Sequence, residues 1–294
     1  MKHRSFCFLV ALWLGMAGEA VAYEQVIPLE SPDWFVQAFG GYGYAKTNEE
    51  TVDDGTSTLT LFEETERGWF AGGSAMVPLV SRLGARLRVD GGRRRITDGT
   101  LAGDVGTLTA GGEFFLRDPT IGQIAAGYAY TWGSPDDAFA EDSVRVHTLP
   151  VFASLYTPDL GGGATDWTVA FTYDWIELRL PLGSENQWAY AIDAASTWYV
   201  TRFVDFRGGF RYSRLIGDDP SNTIEGVFTL EALVPSGIRN YGTVALTGSV
   251  GRVEDEDLAA PFYTVSRLTW GIGVTVSVHF PGVTSLVELN RAYR

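Results

Sequence analysis

A strict period of two in hydrophobicity constrains this chain more than any other feature of its sequence. The clearest example lies near the C-terminus, where apolar side chains alternate with small or polar ones. The apolar positions of that segment are Trp270, Ile272, Val274, Val276, Val278 and Phe280. Successive side chains of a β-strand point to opposite faces, so the segment predicts a strand with one apolar and one polar face. The pattern recurs at least ten times, which indicates an all-β fold.

The same strands indicate a membrane-spanning barrel. No run of about 18 apolar residues follows the N-terminal segment, which excludes membrane-spanning helices. A backbone in lipid must satisfy its own hydrogen bonds, and a closed barrel is the remaining solution. We therefore predict a transmembrane antiparallel up-and-down β-barrel of about twelve strands over residues 33–280. Missing one weak strand pair would change the count to ten or fourteen.

The connections between the predicted strands alternate in length. The short ones are Pro78–Arg82, Arg117–Thr120, Thr201–Phe203 and Pro235–Asn240, with Tyr156–Asp166 as one longer member; the longer, mostly acidic ones include Thr47–Glu66, Gly133–Ser143, Arg214–Asn222 and Arg252–Ala260. Alternation of this kind is typical of periplasmic turns and external loops. An even number of strands then places both termini in the periplasm. The sixth strand, at residues 144–156, is the least regular, because Pro150 interrupts it and neither parity is cleanly apolar.

The N-terminus has the features of a secretion signal. Residues 1–22 contain a basic start, an apolar core of about a dozen residues and the small-x-small pattern Ala20-Val-Ala22. Cys7, the single cysteine, lies within this signal peptide, so the mature chain is expected to form no disulfide. Residues 23–32 would form a periplasmic lead into the barrel.

The charge of the mature chain limits its partners. Removal of Lys2, Arg4 and Glu19 with the signal leaves 20 basic and 35 acidic residues, a formal charge of −15. Such acidity argues against nucleic acid, because phosphate contacts need lysine and arginine. The expected partners are outer-membrane lipid, lipopolysaccharide and small polar solutes.

Tryptophan spacing gives the height of the apolar band. Trp167 and Trp175 are eight residues apart on one parity, and Trp188 and Trp198 are ten apart. At the usual rise and tilt of barrel strands these spans cover roughly 20 to 25 Å. The predicted membrane girdle consists of Trp34, Trp69, Trp132, Trp167, Trp175, Trp188 and Trp198.

The alternating strands and the closing segment resemble those of Gram-negative outer-membrane β-barrel proteins, a broad porin-like class. The resemblance covers residues 33–280 and implies a location in the outer membrane of a Gram-negative bacterium. The last strand looks like the signal that such proteins present to the barrel-assembly machinery, with Trp270, Val276, Val278 and Phe280 as its residues. In contrast to that class, residues 281–294 follow the signal, and we interpret them as a periplasmic tail.

Charged residues of both signs occupy the polar parity. If the apolar parity faces lipid, twelve charged side chains point inward: Arg86, Arg88, Asp90, Glu113, Asp174, Asp193, Asp205, Arg207, Arg211, Glu225, Glu231 and Arg267. As pore-lining residues they would create a transverse field that selects small hydrophilic solutes or ions, with a mild preference for cations. Alternatively they pair into a salt-bridge network, which describes a closed structural or surface-interaction barrel.

Enzymatic and metal chemistry have weak support in the sequence. Ser143 and His147 share one strand face but are roughly 13 Å apart, too far for direct contact. His279 lies at the periplasmic end of the last predicted strand. A lipid-modifying enzyme is therefore the least favoured function, and we expect no catalytic residues, cofactor or metal. Arg93-Arg94-Arg95 could attract an anionic solute or a lipopolysaccharide phosphate, although short basic runs are usually solvated loops.

Overall fold

A computed structural model describes twelve antiparallel strands and one short helix. It describes residues 34–53, 57–80, 82–98, 101–118, 121–136, 143–157, 164–180, 183–217, 220–234, 240–256, 263–283 and 286–292. The strands are β1 (Phe35–Asp53), β2 (Ser57–Val80), β3 (Leu83–Asp98), β4 (Leu101–Asp118), β5 (Gly122–Asp136), β6 (Ser143–Thr157), β7 (Thr165–Leu180), β8 (Gly183–Thr201), β9 (Val204–Ile216), β10 (Ser221–Leu233), β11 (Asn240–Glu256) and β12 (Tyr263–Val283), and the helix is α1 (Leu286–Ala292). The signal segment and the 23–32 lead lie outside the described residues, so their assignments stay predictions.

The strands close into a single barrel in sequence order. Each strand pairs with its chain neighbours, and β1 pairs with β12 through contacts such as Val36 with Phe280 and Tyr44 with Ile272. Closure leaves no unpaired sheet edge. The predicted all-β, up-and-down barrel of about twelve strands is confirmed. We call the end with the β2–β3, β4–β5, β6–β7, β8–β9 and β10–β11 connections the turn end, and the opposite end the loop end.

The two parities separate cleanly into an apolar outer face and a polar inner face. On β7, Trp167, Val169 and Phe171 are exposed, whereas Asp166 and Thr168 are buried inside the barrel. Exposed tryptophan, phenylalanine, leucine, isoleucine and valine side chains recur on every strand. A continuous apolar belt of this extent is far larger than the apolar patches on water-exposed protein surfaces. It is therefore the surface that contacts lipid. Within the described residues, no helix has the length and hydropathy needed to cross a bilayer.

Several segments expected to be loops continue as strands. Strand β1 runs to Asp53 and β2 begins at Ser57, so most of the predicted Thr47–Glu66 loop extends the barrel wall. A register shift at Glu49/Glu50 accompanies this extension. Likewise, β5 continues to Asp136 and β11 continues to Glu256. Strand β9 ends at Ile216 and β10 begins at Ser221, so only a short connection separates them. The loop assignment was wrong there because acidic, polar strands outside the membrane lack an apolar parity, although their backbones still pair.

Strand β6 shows why its pattern was irregular. Val146 and Phe152 are buried and face inward, while Val151 and Leu155 are exposed on the outer face, so both parities are apolar. Pro150 has no amide hydrogen, and the register with β5 is interrupted between the Ala126–Val151 and Ala129–Thr148 pairs. The irregular stretch is therefore a genuine strand with an apolar inner face.

The C-terminal residues return to the barrel. Strand β12 continues to Val283, three residues beyond the predicted end at Phe280, and Asn240 pairs with Val283. Helix α1 then follows, with Glu288 in its first turn and Arg291 in its last, which complements the helix dipole. Leu286, Leu289 and Asn290 are fully buried. The segment predicted as a periplasmic tail thus contains a helix that packs at the turn end of the lumen.

Candidate functional site

All twelve predicted pore-lining residues lie on the inward parity, buried or half-buried. The structure divides them into two groups. Five border an open cavity in the lumen: Arg88, Asp90, Arg207, Glu225 and Glu231. The remaining seven lie elsewhere on the inner wall: Arg86, Glu113, Asp174, Asp193, Asp205, Arg211 and Arg267. Their part in conduction stays a prediction.

The cavity is elongated along the barrel axis. Its volume is about 380 Å³, and its wall is formed mainly by β1–β4 and β10–β12. Along β11 it extends from Thr243 to Val253. At the rise and tilt of barrel strands, ten residues cover roughly 25 Å of depth. The cavity therefore runs through most of the membrane thickness, next to one side of the wall.

Hydroxyl side chains are the most numerous polar groups on this wall. Pairs of hydroxyls bond across neighbouring strands, with Oγ1–Oγ1 distances of 3.1 Å between Thr109 and Thr131 and 3.1 Å between Thr229 and Thr247. The hydroxyl residues that line the cavity are Thr107, Thr109, Thr131, Thr223, Thr229, Thr243, Thr247, Ser249, Thr269, Thr275 and Ser277. Since these side chains are short, they leave open space, and since each hydroxyl both donates and accepts, they can replace solute hydration.

Charged groups on the cavity wall are partly paired. Arg88 Nε donates to Asp90 Oδ1 at 2.7 Å, and its guanidinium lies 4.8 Å from the centre of the Phe39 ring. Arg94 bonds Glu66 at 3.0 Å between Nη1 and Oε1. Together with Arg207, Glu225 and Glu231, the lining has three cations and four carboxylates. The sequence analysis placed Glu66 in the Thr47–Glu66 loop and named Arg94 only within a short basic run, so neither was predicted to line the lumen.

The opposite wall, on β6–β9, is filled. Thr148 Oγ1 donates to Asp174 Oδ1 at 2.6 Å, and Arg211 Nε lies 3.8 Å from Asp193 Oδ1. Toward the loop end, an apolar cluster projects inward from the same wall and consists of Val146, Ile176, Leu178, Ala189 and Leu215, with Val144 packed against it. Larger side chains therefore occupy the space that hydroxyls leave open on the other wall.

An apolar septum crosses the turn end of the lumen. It is one contact cluster of Phe35, Met76, Phe115, Ala125, Phe152, Ala164, Ala170, Tyr199, Leu233, Val283, Leu286 and Leu289, with Phe203 packed against it. Because its members come from opposite sides of the barrel and from α1, they span the lumen. Two arginines pack on Phe115, with guanidinium-to-ring distances of 4.5 Å for Arg117 and 5.7 Å for Arg86. Arg86 also forms a buried ion pair with Glu113.

Helix α1 is anchored to the wall opposite β12. The amide of Leu286 donates to the carbonyl of Arg202 at 2.8 Å. Asn290 Nδ2 donates to Asp205 Oδ2 at 2.6 Å. Arg291 donates through Nε to Asp166 Oδ1 at 2.8 Å and through Nη2 to the carbonyl oxygen of Thr157 at 2.9 Å. The hydroxyl of Tyr199 donates to the other oxygen of Asp166 at 2.6 Å.

The sequence analysis missed this closure of the lumen. Its available signal was the segment 286–291, in which two leucines three residues apart precede an asparagine and an arginine. Residues three apart share one helix face, so the leucines already indicated an amphipathic turn. Of the predicted inward charges, Asp205 proved to be a partner of the helix, whereas Asp166 was predicted only as the end of the Tyr156–Asp166 connection.

The seven predicted girdle tryptophans are all exposed on the outer face. Trp34, Trp167 and Trp198 lie near the turn end, with Trp34 next to Phe280 and Trp198 stacked on Phe206 at centroid distances of 5.9 and 5.5 Å. The others lie nearer the loop end: Trp69, Trp132, Trp175 and Trp188. The four predicted assembly-signal residues, Trp270, Val276, Val278 and Phe280, are exposed on β12.

The two described histidines occupy different faces. His279 is buried at the turn end with its ring stacked against Phe35 at 5.9 Å. His147 lies on the outer face, where Tyr128 Oη is 2.7 Å from its Nδ1 and the Trp175 ring stacks at 5.3 Å. Among the described residues, no three histidines, cysteines or carboxylates converge as a metal site.

Comparison with known proteins reveals similarity in structure but not in sequence family. No protein-family model matches the sequence. No curated protein matches it either. An outer-membrane channel from Pseudomonas putida F1 has a TM-score of 0.57 at 12% identity, with coverage of 88% of this chain and 98% of that chain. The translocator domain of the autotransporter NalP from Neisseria meningitidis has a TM-score of 0.51 at 11% identity, with coverage of 92% and 96%.

The fold is that of a Gram-negative outer-membrane β-barrel. A Pseudomonas aeruginosa FadL homologue is a third similar structure, with a TM-score of 0.47, 10% identity and coverage of 88% of this chain and 96% of that chain. The identities are low, so the two structures with TM-scores above 0.5 show the barrel architecture alone. The lumen of this chain, described above, carries the functional argument.

Proposed function

We propose that this chain is an outer-membrane channel for small hydrophilic solutes or ions, with its loop end outside and its termini in the periplasm. The observation that carries the proposal is the axial cavity of about 380 Å³ with its wall of hydroxyl and charged groups. A solute entering it exchanges water for threonine, serine and carboxylate oxygens and for arginine donors. The wall also presents apolar surface, to which the Phe39 and Phe70 rings and the side chains of Val227 and Val253 contribute.

Passage through the barrel requires the septum to open. The septum and α1 block the turn end, and the cavity lies between them and the loop end. The helix joins the barrel through one covalent connection at β12, and polar bonds to Asp166 and Asp205 hold its far end. We propose that α1 is the closing element and that its displacement connects the cavity to the turn-end solution.

Planar-bilayer recordings test this function. The matched proteins are the mature chain and a variant that ends at residue 284, with heat-modifiable gel migration as the control for a folded barrel. We expect brief or infrequent conductance steps from the intact chain and frequent, discrete steps from the shortened one. A folded, shortened barrel that stays silent across a range of voltages and pH would reject the channel.

A closed structural or surface-interaction barrel is the second candidate. The observation that favours it is the burial of the septum, in which Leu286, Leu289 and Val283 have no solvent exposure. This function predicts no conductance from either protein, and recognition of a partner through the wall extension above the membrane. Deletion of residues 49–62 should then abolish partner binding and leave the barrel folded. We propose no catalytic step for the chain.

A further inference from the structure

Two arginines face each other on the outer surface of the barrel near the loop end. Arg67 on β2 and Arg95 on β3 are direct cross-strand partners, and both are exposed on the lipid-side parity. Side chains in such positions begin about 4.5–5.5 Å apart at Cβ, and like charges there destabilise the pair. Among the described side chains, no carboxylate forms an ion pair with either arginine. Asp104, the cross-strand partner of Arg95 on β4, bonds Arg93 instead, so neither arginine of the pair has an ion pair among the described residues.

A third arginine and two hydroxyls extend this surface. Arg93 lies two residues before Arg95 on the same face and pairs across the strands with Trp69. Thr65 and Thr97 form the next outward pair toward the loop end. We call Arg67, Arg93 and Arg95 the arginine patch. It presents guanidinium donors above a ring of the membrane girdle.

The neighbouring carboxylates do not neutralise the patch. Asp104 Oδ2 bonds Arg93 at 3.1 Å, and Glu63 Oε1 bonds Lys46 at 2.9 Å. The described outward side chains of this region therefore carry four cations and two carboxylates: Lys46, Arg67, Arg93 and Arg95 against Glu63 and Asp104. This local positive excess stands out in a chain whose formal net charge is −14. An anion from outside the protein would balance the two cations in excess.

The height of the patch identifies where that anion resides. Trp69 of the girdle lies level with Arg93 and just below the Arg67–Arg95 pair, and Leu87 and Val89 are exposed in the apolar band below it. The Ala71–Gly91 pair lies below Trp69, and neither residue has a large side chain. Cations at the membrane interface bind lipid phosphates.

We propose that the arginine patch binds a phosphate group of the lipid A moiety of lipopolysaccharide. A phosphomonoester carries close to two negative charges near neutral pH, which matches the excess of two cations, whereas a glycerophospholipid diester carries one. Arginine also forms bidentate hydrogen bonds with phosphate oxygens. The assignment rests on the proposed orientation, in which the loop end lies in the outer leaflet.

Native mass spectrometry of the purified mature chain tests the site with bisphosphorylated lipid A as the probe. The test variant is the double substitution Arg67→Gln and Arg95→Gln. Its control is Arg145→Gln with Arg179→Gln, which removes the same charge from the outward parity of β6 and β7. Loss of charge-assisted hydrogen bonds should weaken lipid A binding by at least about tenfold in the test variant, and binding by the control should stay near that of the parent chain.

Three results would overturn the site: no lipid A binding by the parent chain, equal binding by the test variant, or equal loss in both variants. Phosphatidylglycerol bound as tightly as lipid A would reject the assigned lipid. Orientation is checked separately with Gly217→Cys at the β9–β10 connection, because the mature chain contains no other cysteine. Labelling by an impermeant maleimide only after permeabilisation would refute the proposed orientation, while the binding result in vitro would stand.

Discussion

The middle of the lumen and its turn end are built by the same strands but differ in side-chain size. On β4, Thr107 and Thr109 line the cavity, and Phe115 and Arg117 then fill the septum. On β12, Thr275 and Ser277 line the cavity before the buried His279 and Val283. The faces alternate along β4 and along β12 as far as Phe280, beyond which the register with β11 shifts. Whether a barrel interior is open or closed therefore depends on the volume of inward residues and on what enters between them.

The septum also differs from the cavity in its dependence on a distant segment. Cavity-lining hydroxyls bond to neighbouring strands, so their positions follow from strand register. The septum needs α1, whose leucines complete its apolar contacts from the far end of the chain. Changes in α1 should thus alter closure strongly, while changes in the cavity should alter only the properties of an open path.

The largest expected effect comes from Leu289→Asp. A carboxylate at this fully buried position would meet apolar neighbours, and desolvation of the charge should displace α1 from the septum. We expect the frequency of conductance steps to approach that of the chain that ends at residue 284, an increase of about tenfold or more. Leu289→Met conserves volume and apolarity, so this control should remain closed. Equal, rare steps in both variants would show that α1 does not close the path.

Asp166→Asn should open the septum to a smaller extent. The substitution removes the charge that binds Arg291, and loss of one partner of a buried pair destabilises by about 3 kcal/mol. The effect should fall on helix docking, since the barrel hydrogen bonds remain. Trypsin cleavage after Arg291 should become faster, and conductance steps should be intermediate in frequency. Arg291→Lys retains the positive charge and serves as the control for the conductance measurement. An unchanged rate of trypsin cleavage in Asp166→Asn would mean that the leucines alone hold the helix.

The fold followed from the sequence because lipid imposes one rule on every strand within the membrane. Trp167, Val169 and Phe171 must be apolar whatever lies inside, so their periodicity is visible without knowledge of the lumen. The inner side has no such rule. Thr172 and Ile176 share the inward parity of β7, yet one belongs to a polar layer and the other to an apolar cluster. Strand periodicity places both residues inside the barrel but does not distinguish a polar layer from an apolar cluster.

The wall extension and α1 were less predictable for related reasons. Beyond the apolar belt, β1 and β2 continue through a mostly polar and acidic stretch, where their backbones pair. The seven residues of α1 provide only two turns of helical periodicity, and the helix bonds to Asp166 and Asp205, which lie more than 80 positions away in sequence. Long-range contacts of this kind leave no local pattern.

Filling the cavity should have a moderate effect that appears only when the septum is open. In the chain that ends at residue 284, Thr247→Leu would replace a hydroxyl by a larger apolar group and remove the bond with Thr229. We expect single-channel conductance to fall by less than about twofold, because the substituted side chain narrows only one part of the path. Thr247→Val removes the hydroxyl with little change in volume, so comparison of the two separates volume from hydration. Unaltered conductance in Thr247→Leu would place the ion path elsewhere in the lumen.

The smallest expected effect concerns charge selectivity. Three cations and four carboxylates line the cavity, which supports a mild cation preference in the opened barrel. Glu231→Gln equalises the two signs and should move the reversal potential in a salt gradient toward zero, whereas Arg207→Gln should move it in the opposite direction. Both shifts should shrink at high salt, because the Debye length falls from about 10 Å at 0.1 M to about 3 Å at 1 M. Anion preference in the unsubstituted opened barrel would contradict this assignment, and salt-independent shifts would indicate that the substitutions act through packing rather than through the field of the wall.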